Sequence, residues 1–572
     1  MYLKSPFPQL PPIPDANVHE YMFNTPEVQN LADYTLYIDA VTGRKRSWYD
    51  FRDTVYDGAT ALGAPVSQGG LGLNGDDGDI VGIFSHNCMD YIALVHSLLV
   101  ITTPISLLSA YSTAFELAQA LRTSKVTRLF VQPSFFEKAK SAAKDVGLSE
   151  DRIYILDGHI EAKRSYQDLV DDVRRRGIPR VPVKRATKDT LAYLVFSSGT
   201  SGLPKAVMIS HGNLWAILVG NVMTRDEEEK ITKPTPPASP PVWLLFLPFY
   251  HTYGVHMACF RSFARPMTYV VVPKWDADLV LRSIPKFLVN VLPLIPSAIH
   301  QLVNHKLIDK TDLSSLVSVH SGAAYLPPAL SEKLKTFVKN VPHVLEGYGM
   351  SEQTLSASRK TYPGMFGLQP KSGSVGVLVP GLEARIVRPD GSEAKVEEPG
   401  ELWVKGGSVA LGYFGNEKAT RETFVDGWLK TGDTFKADQD GQLYFVDRAK
   451  DTLKVSGAQV SPTEVEDVLL AHPEGLIVDV SVAGVSGGRT SDEKNPRAWV
   501  VLSEKGKRRG AEATLKALDD WTRRNLSKYK WLRGGYEVVD QIPKSPTGKV
   551  LRRVLQDRYE QQLLASSTKA KL

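Results

Sequence analysis

Short apolar runs, each cut off by turn-forming residues and separated by helical stretches, recur through most of this chain. Residues 80–85 (IVGIFS), 128–132 (RLFVQ), 192–196 (AYLVF) and 242–247 (VWLLFL) are of this kind. A run this short with no polar alternation has no face to give to water. It reads as a strand buried on both sides, in a mostly parallel sheet covered by helices. Residues 114–123 and 330–338 carry helical patterns, and the alternation predicts an α/β architecture. The longest apolar region, residues 91–108, contains His96, Thr102, Thr103 and Pro104. A buried helix running into a strand fits it better than a membrane span, so no transmembrane segment is expected.

A chain of 572 residues is too long for one core, so more than one folding unit is expected. From about residue 448 the pattern changes to smaller units with denser basic residues, which predicts a large unit over 1–447 and a small one over 448–572. Residues 226–241 (DEEEKITKPTPPASPP) and 487–496 (GGRTSDEKNP) read as solvated loops. A formal net charge of +6 over this length makes no case for a nucleic-acid partner, which calls for a concentrated basic face. The two cysteines, Cys88 and Cys259, offer neither a disulfide framework nor a CxxC metal pair, as in a reducing intracellular compartment. The opening residues, MYLKSPFP, lack the charged-then-apolar pattern of a secretory signal.

The strongest local signal is Ser197-Ser198-Gly199-Thr200-Ser201-Gly202-Leu203-Pro204-Lys205, directly after the run at 192–196. Its hydroxyls and two glycines place many donors on backbone that can approach a ligand closely, and its lysine adds a positive charge. Together they suit a polyphosphate. The spacing is not the GxxxxGK[ST] of common NTPases. A Ser/Gly linker would need neither the preceding strand nor the Pro-Lys end.

This loop closely resembles the phosphate-binding signature of the adenylate-forming superfamily: acyl-CoA synthetases, plant 4-coumarate-CoA ligases, beetle luciferases and peptide-synthetase adenylation domains. Further blocks match in order as far as residue 552, and residues 7–24 look like the opening of fungal and plant members. The resemblance implies a large N-terminal domain of mostly parallel sheets flanked by helices, a β-barrel-like subdomain, and a small mobile α+β C-terminal domain. It implies an ATP-dependent ligase that converts a carboxylic acid to an acyl-AMP and then to a CoA thioester, with Mg²⁺.

Residue roles follow from the same resemblance. Ser197, Ser198, Gly199, Thr200, Ser201 and Lys205 are implied to hold the ATP phosphates, with Thr200 also at the magnesium. In Pro248-Phe249-Tyr250-His251-Thr252-Tyr253-Gly254, His251 and Tyr253 border the acyl group, as does Met257. Ser321-Gly322-Ala323-Ala324 is similar to the segment packed against adenine, with Ala324 also at the acyl pocket. In Glu346-Gly347-Tyr348-Gly349-Met350-Ser351-Glu352, Tyr348 would stack on adenine and Ser351 would bond the α-phosphate. Glu346 and Gly347 would line the nucleotide site, Gly347 also the acyl pocket, and Glu352 would offer magnesium a hard carboxylate oxygen. The family often has Gln where Glu346 stands and Thr where Ser351 stands.

Asp433, in Thr431-Gly432-Asp433, would chelate the ribose hydroxyls as the acid of dinucleotide folds does, and Arg448 would touch the ribose. Lys450 matches the hinge. The segment from Lys454 to Gln459 matches the one delivered for thioester formation, with Lys454 catalytic, Gln459 at the nucleotide, and Ser456 and Gly457 at CoA. The 4-coumarate ligases have a lysine where Ser456 stands. Lys274 matches a CoA-contacting lysine of the plant ligases, and Lys549 matches the adenylation lysine.

Residues 247–257 contain no Asp or Glu to receive an α-ammonium, so the expected acid has none and is aryl or medium-chain. Ala570-Lys571-Leu572 resembles a peroxisomal address, which implies the peroxisomal import receptor as partner and a peroxisomal location. The alternatives are an enzyme that loads a carrier-protein phosphopantetheine, a luciferase-like oxidase and a catalytically inactive nucleotide- or acyl-binding paralogue.

Overall fold

The computed structural model describes the chain apart from residues 198–203, 233–238, 262, 449–452, 456–457, 487–493, 527, 547 and 570–572. At 448, 454, 458–459, 529 and 564–569 it describes the backbone only.

The apolar runs form strands at the cores of two sheets. Val81–Phe84, Arg128–Val131 and Leu191–Ser197 belong to a six-stranded sheet whose members run parallel except for the edge strand Lys205–Ser210. Val242–Leu245 lies mid-way in a nine-stranded sheet, parallel to Thr268–Val271 on one side and Val291–Leu294 on the other. The expected helix-then-strand is present as Met89–Val100 and Ile105–Leu108. All twelve residues of that helix are buried, because one continuous apolar core takes in helices and both large sheets. Among the described residues no helix is long and apolar enough to cross a membrane.

A third sheet is antiparallel and includes Leu382–Val387, Gly400–Gly406, Trp428–Ala437 and Leu443–Arg448. Beyond it stand the hairpin Leu453–Val455 with Ala458–Val460 and a three-stranded sheet, Ile477–Val485, Asn495–Leu502 and Tyr536–Val538. Val465, Val482 and Leu518 are buried in a core of their own there, separate from that of the large sheets.

The expected loop at 226–241 is corrected in its first half. The helix His211–Thr232 runs on through 226–232. Its acidic run is held by cations: Lys230 reaches Glu227 at 2.6 Å, Arg359 pairs with Glu228, and Arg265 pairs with Glu229. Neutralised in this way, a charged stretch can stay helical. Residues 233–238 of that segment, and 487–493 of the second expected loop, lie outside the described residues; Asn495 and Pro496 are already in a strand.

Candidate active site

A cleft of about 3200 Å³ lies where the two large sheets, the antiparallel sheet and the C-terminal unit meet. It is lined by Ser197, Lys205, His251, Ser351, Asp433 and Lys549, among others. Residues spread over 350 positions are thereby brought to one place.

Ser197 and Lys205 pair directly across two antiparallel strands, so they form the base of the loop between them. Ser198, Gly199, Thr200 and Ser201 lie outside the described residues. Ser197 Oγ is buried and has no partner among the described residues. Such an orphaned donor is what a ligand oxygen would satisfy. Lys205 Nζ stands 4.7 Å above the centre of the Tyr413 ring. The hydroxyl of Tyr413 donates to Glu352 Oε1 at 2.9 Å. Tyr413 thus ties the base of the loop to the acidic residue, a link with no signal in the linear motifs.

Glu352 follows Ser351 in a short 3₁₀ turn, Ser351–Gln353. The turn ends at Thr354, whose φ of 66° is costly for a β-branched residue. It is held there by hydrogen bonds from Thr354 Oγ1 to the Ser408 carbonyl and from Gln353 Nε2 to Ser408 Oγ, both 2.6 Å. Ser351 Oγ lies 2.9 Å from Thr252 Oγ1. A hydroxyl and a nearly buried carboxylate are therefore fixed side by side on the cleft wall.

His251 caps the helix Thr252–Ala258, its Nδ1 accepting the Tyr253 amide at 3.3 Å. That leaves the proton on Nε2. Burial, and then the Lys549 ammonium, push its pKa down to about 4, so the ring is neutral near pH 7. Lys549 therefore lies near enough for its charge to be felt at His251. Lys549 reaches the cleft because Gly548, at φ 80°, packs against Ser297 and Ile295 where a Cβ would lie 2.4 Å from Ser297 Oγ. A second contact joins the C-terminal unit to the cleft: the Tyr325 hydroxyl donates to Asp467 at 2.6 Å.

Gly432, at φ 70°, sits at an irregularity in the pairing of Trp428–Ala437 with Gly400–Gly406. A glycine in the left-handed region is how a strand takes such a bulge and re-aims the next side chain. That side chain is Asp433, which accepts from the Tyr348 hydroxyl at 2.7 Å. Arg448 is directly opposite Asp433 in the sheet; its side chain is not described. The Tyr253 ring and the Gly347 carbonyl both lie against Gly322, and Met257 and Ala324 line the same cleft.

Glu346 forms an ion pair at 2.8 Å with Lys360, a residue absent from the motifs, and both are largely buried. Burial raises the Glu346 pKa, and Lys360 opposes the shift. Lys360→Met would leave that carboxylate unpaired. It should cost about 2 kcal/mol in urea unfolding, and Lys360→Met with Glu346→Gln should recover most of it. A single variant as stable as the unmodified protein would show the pair to be incidental.

Lys274 is exposed, beside His86, and is not among the cleft-lining residues. In the hairpin, Lys454 and Gln459 are paired across the strands, with side chains not described, while Ser456, Gly457 and Lys450 lie outside the described residues. No group of three or more His, Cys, Asp or Glu able to hold a metal is found among the described residues. One nearly buried carboxylate, Glu352, tied through Tyr413 to the base of the Ser/Gly loop is a donor set of the kind magnesium takes, since that ion keeps waters and draws most of its protein charge from one or two acids.

Two domains closing over a shared cleft, with an antiparallel sheet beside two α/β sheets, define the architecture of an adenylate-forming enzyme. The chain superposes with a TM-score of 0.79 and 24% identity on an anthranilate CoA ligase, AuaEII, solved with anthranoyl-AMP, over 97% of this chain and 99% of that one. Residues 28–414 match the model of the AMP-binding enzyme family, and 464–549 match that of the AMP-binding enzyme C-terminal domain. The chain belongs to the AMP-binding enzyme family. Its relatives include a Dictyostelium discoideum protein named "Probable 4-coumarate--CoA ligase 1", 32% identical over 97% of both chains. An acyl-CoA ligase of Alternaria alternata, AKT1, is 31% identical over 84% of this chain and 83% of its own.

Proposed function

We propose that the protein is an ATP-dependent acid–thiol ligase that activates a carboxylic acid without an α-amino group and transfers it to CoA. The observation that carries this is the convergence of Lys549, Ser351, Glu352 and Asp433 on one cleft beside the base of the Ser/Gly loop. The relatives' names support CoA as the acceptor.

A carboxylate is a poor electrophile because oxide cannot leave. Attack of its oxygen on the α-phosphorus of ATP expels pyrophosphate and gives a mixed anhydride whose leaving group is AMP. The CoA thiolate then attacks the acyl carbonyl and AMP departs. Positioning and neutralisation of charge carry most of the first step. Lys549 would bridge the carboxylate and the α-phosphate, with Ser351 donating to the phosphate. Asp433 would accept from the ribose hydroxyls, and the Tyr348 ring would lie against adenine. Neutral His251 would donate from Nε2 without competing with Lys549 for negative charge. Glu352 would hold magnesium, which supplies charge neutralisation on the phosphates. Acid-dependent ATP–pyrophosphate exchange over aryl, medium-chain and long-chain acids, followed by thioester formation with CoA or a carrier protein, tests this. Exchange without transfer to CoA would turn the reading to a carrier-loading enzyme, and no exchange to an inactive paralogue.

The second step calls for removal of Lys549, and we assign that to rotation of residues 448–572 about Lys450, bringing in the segment 454–459. Burial raises Asp467 to about 6, against the pull of the Tyr325 hydroxyl. Once swung out, Asp467 would return to the ordinary carboxylate range. The docked arrangement therefore gains most below that range, and loses the gain as pH rises through about 6. Energy transfer between dyes on the two domains should report less docking at about pH 7 than at about pH 5. An Asp467→Asn variant with the same slope would remove Asp467 as the cause.

With a free carboxyl end at Leu572, Ala570-Lys571-Leu572 would direct import into peroxisomes. These residues lie outside the described ones. A fluorescent fusion that keeps the tripeptide should be punctate and one lacking it diffuse; identical patterns would end this assignment.

A further inference from the structure

Tyr253, Met257 and Arg261 are spaced four residues apart, along the helix Thr252–Ala258 and the turn that follows it. At that spacing Tyr253 and Met257 share one helix face, and with Arg261 they line the wall of the cleft. The N-terminal end of this helix is the reacting end: His251 caps it, and Thr252 touches Ser351. Arg261 lies eight residues beyond Tyr253, past the end of the helix at Ala258.

The guanidinium of Arg261 lies 4.1 Å from the centre of the Trp243 ring, and Nη1 reaches Met257 Sδ at 3.6 Å. Among the described residues it has no carboxylate within ion-pair distance. Arg359, the neighbouring cation, already takes Glu228. At the mouth, Arg265 takes Glu229, and Arg225 bonds Asp226 at 3.0 Å with Glu229 at 4.0 Å. Four arginines therefore face three carboxylates, and Arg261 is the one left over. Burial, helped by the nearby Arg359, lowers its pKa against weaker opposing pulls from Tyr269, Glu228 and Tyr253, which marks the charge as costly. His320 gives no relief. It is held neutral, its pKa pushed to about 3 by burial and by both arginines, and it bonds Ser318 at 3.0 Å. A guanidinium with five N–H donors, one of them on a thioether, keeps donors open to the cavity.

We propose that Arg261 receives a second carboxylate at the far end of the acid, so that the substrate class is a dicarboxylic acid held along the Tyr253–Met257–Arg261 wall. Carboxylate and guanidinium match as a bidentate pair, and the Trp243 face holds the guanidinium in plane for it. The seven-residue helix Thr252–Ala258 spans about 10 Å, which sets a medium-length chain between the two carboxyl groups. This inference rests on the adenylating reading of the cleft.

The test is ATP–pyrophosphate exchange with α,ω-diacids of graded length. Each is compared with its monomethyl ester, and a further pair carries a benzene ring in mid-chain. The ester keeps the length and removes one charge. The unmodified protein should prefer one diacid to its ester by about 10- to 100-fold in kcat/KM. Arg261→Met should erase that ratio chiefly through KM, and Arg261→Lys should keep part of it. Esters used as readily as diacids by the unmodified protein overturn the assignment without needing any variant to fold. So does a diacid preference that survives Arg261→Met. Silence with every mono- and diacid overturns the adenylating reading itself, and this inference falls with it.

Discussion

Lys549→Ala will lower acyl-AMP formation by about 10²- to 10³-fold, the usual loss when one preorganised donor is removed from developing charge. Thioester formation from supplied acyl-AMP and CoA will change by no more than a few-fold. The division follows from placement. Lys549 rides on the C-terminal unit yet stands close enough to His251 to depress its pKa, so its contribution belongs to the docked arrangement. Gly548 should report on the same contact. At φ 80° and against Ser297, it cannot take a Cβ without moving the lysine, so Gly548→Ala should follow Lys549→Ala in direction. Equal loss in both half-reactions would refute the separation.

Asp433→Ala is expected to raise KM for ATP by about 10- to 100-fold, since hydrogen bonds to a charged acceptor are each worth about 1.5–3 kcal/mol. The variant also strips the Tyr348 hydroxyl of its 2.7 Å acceptor, so the ring expected against adenine loses its tether. The two effects separate with 2′-deoxy-ATP and Tyr348→Phe. If Asp433 reads the ribose, 2′-deoxy-ATP should be a poorer substrate than ATP for the unmodified protein and an equal one for Asp433→Ala. Tyr348→Phe should weaken both nucleotides alike. A deoxy penalty that persists in Asp433→Ala would place the ribose elsewhere.

Much of the fold was legible because a doubly covered parallel sheet leaves an unmistakable trace: strands with no polar face. The runs at 81–84, 128–131 and 242–245 are such strands, buried in the structure except for the half-buried first residues Arg128 and Val242. The acidic segment at 226–232 misled for the complementary reason. Its helix depends on Arg265 and Arg359, dozens of positions away, and local composition contains no sign of them. The catalytic candidates were legible as short motifs, since each rests on a turn or strand end whose local sequence is constrained. Tyr413 and Lys360 were not, because each matters through a partner distant in sequence.

Arg261 marks the boundary most clearly. An arginine in the apolar stretch between Val242 and Val272 was visible as an interruption, and its spacing from Tyr253 and Met257 could have been noticed. Its meaning depends on which nearby carboxylates are already taken, and those come from Glu228 and Glu229 on another helix. By itself the sequence determined the α/β class, the family and the ordered set of motifs, because these follow from local periodicity and short-range turn chemistry. Only the tertiary structure decided that Ser197, Lys205, His251, Ser351, Asp433 and Lys549 share one cleft, that Lys549 is docked into it, and that one cation lining it lacks an ion-pair partner among the described residues. Charge balance in a buried site is a sum over neighbours in space, and spatial neighbours are what a linear pattern does not encode.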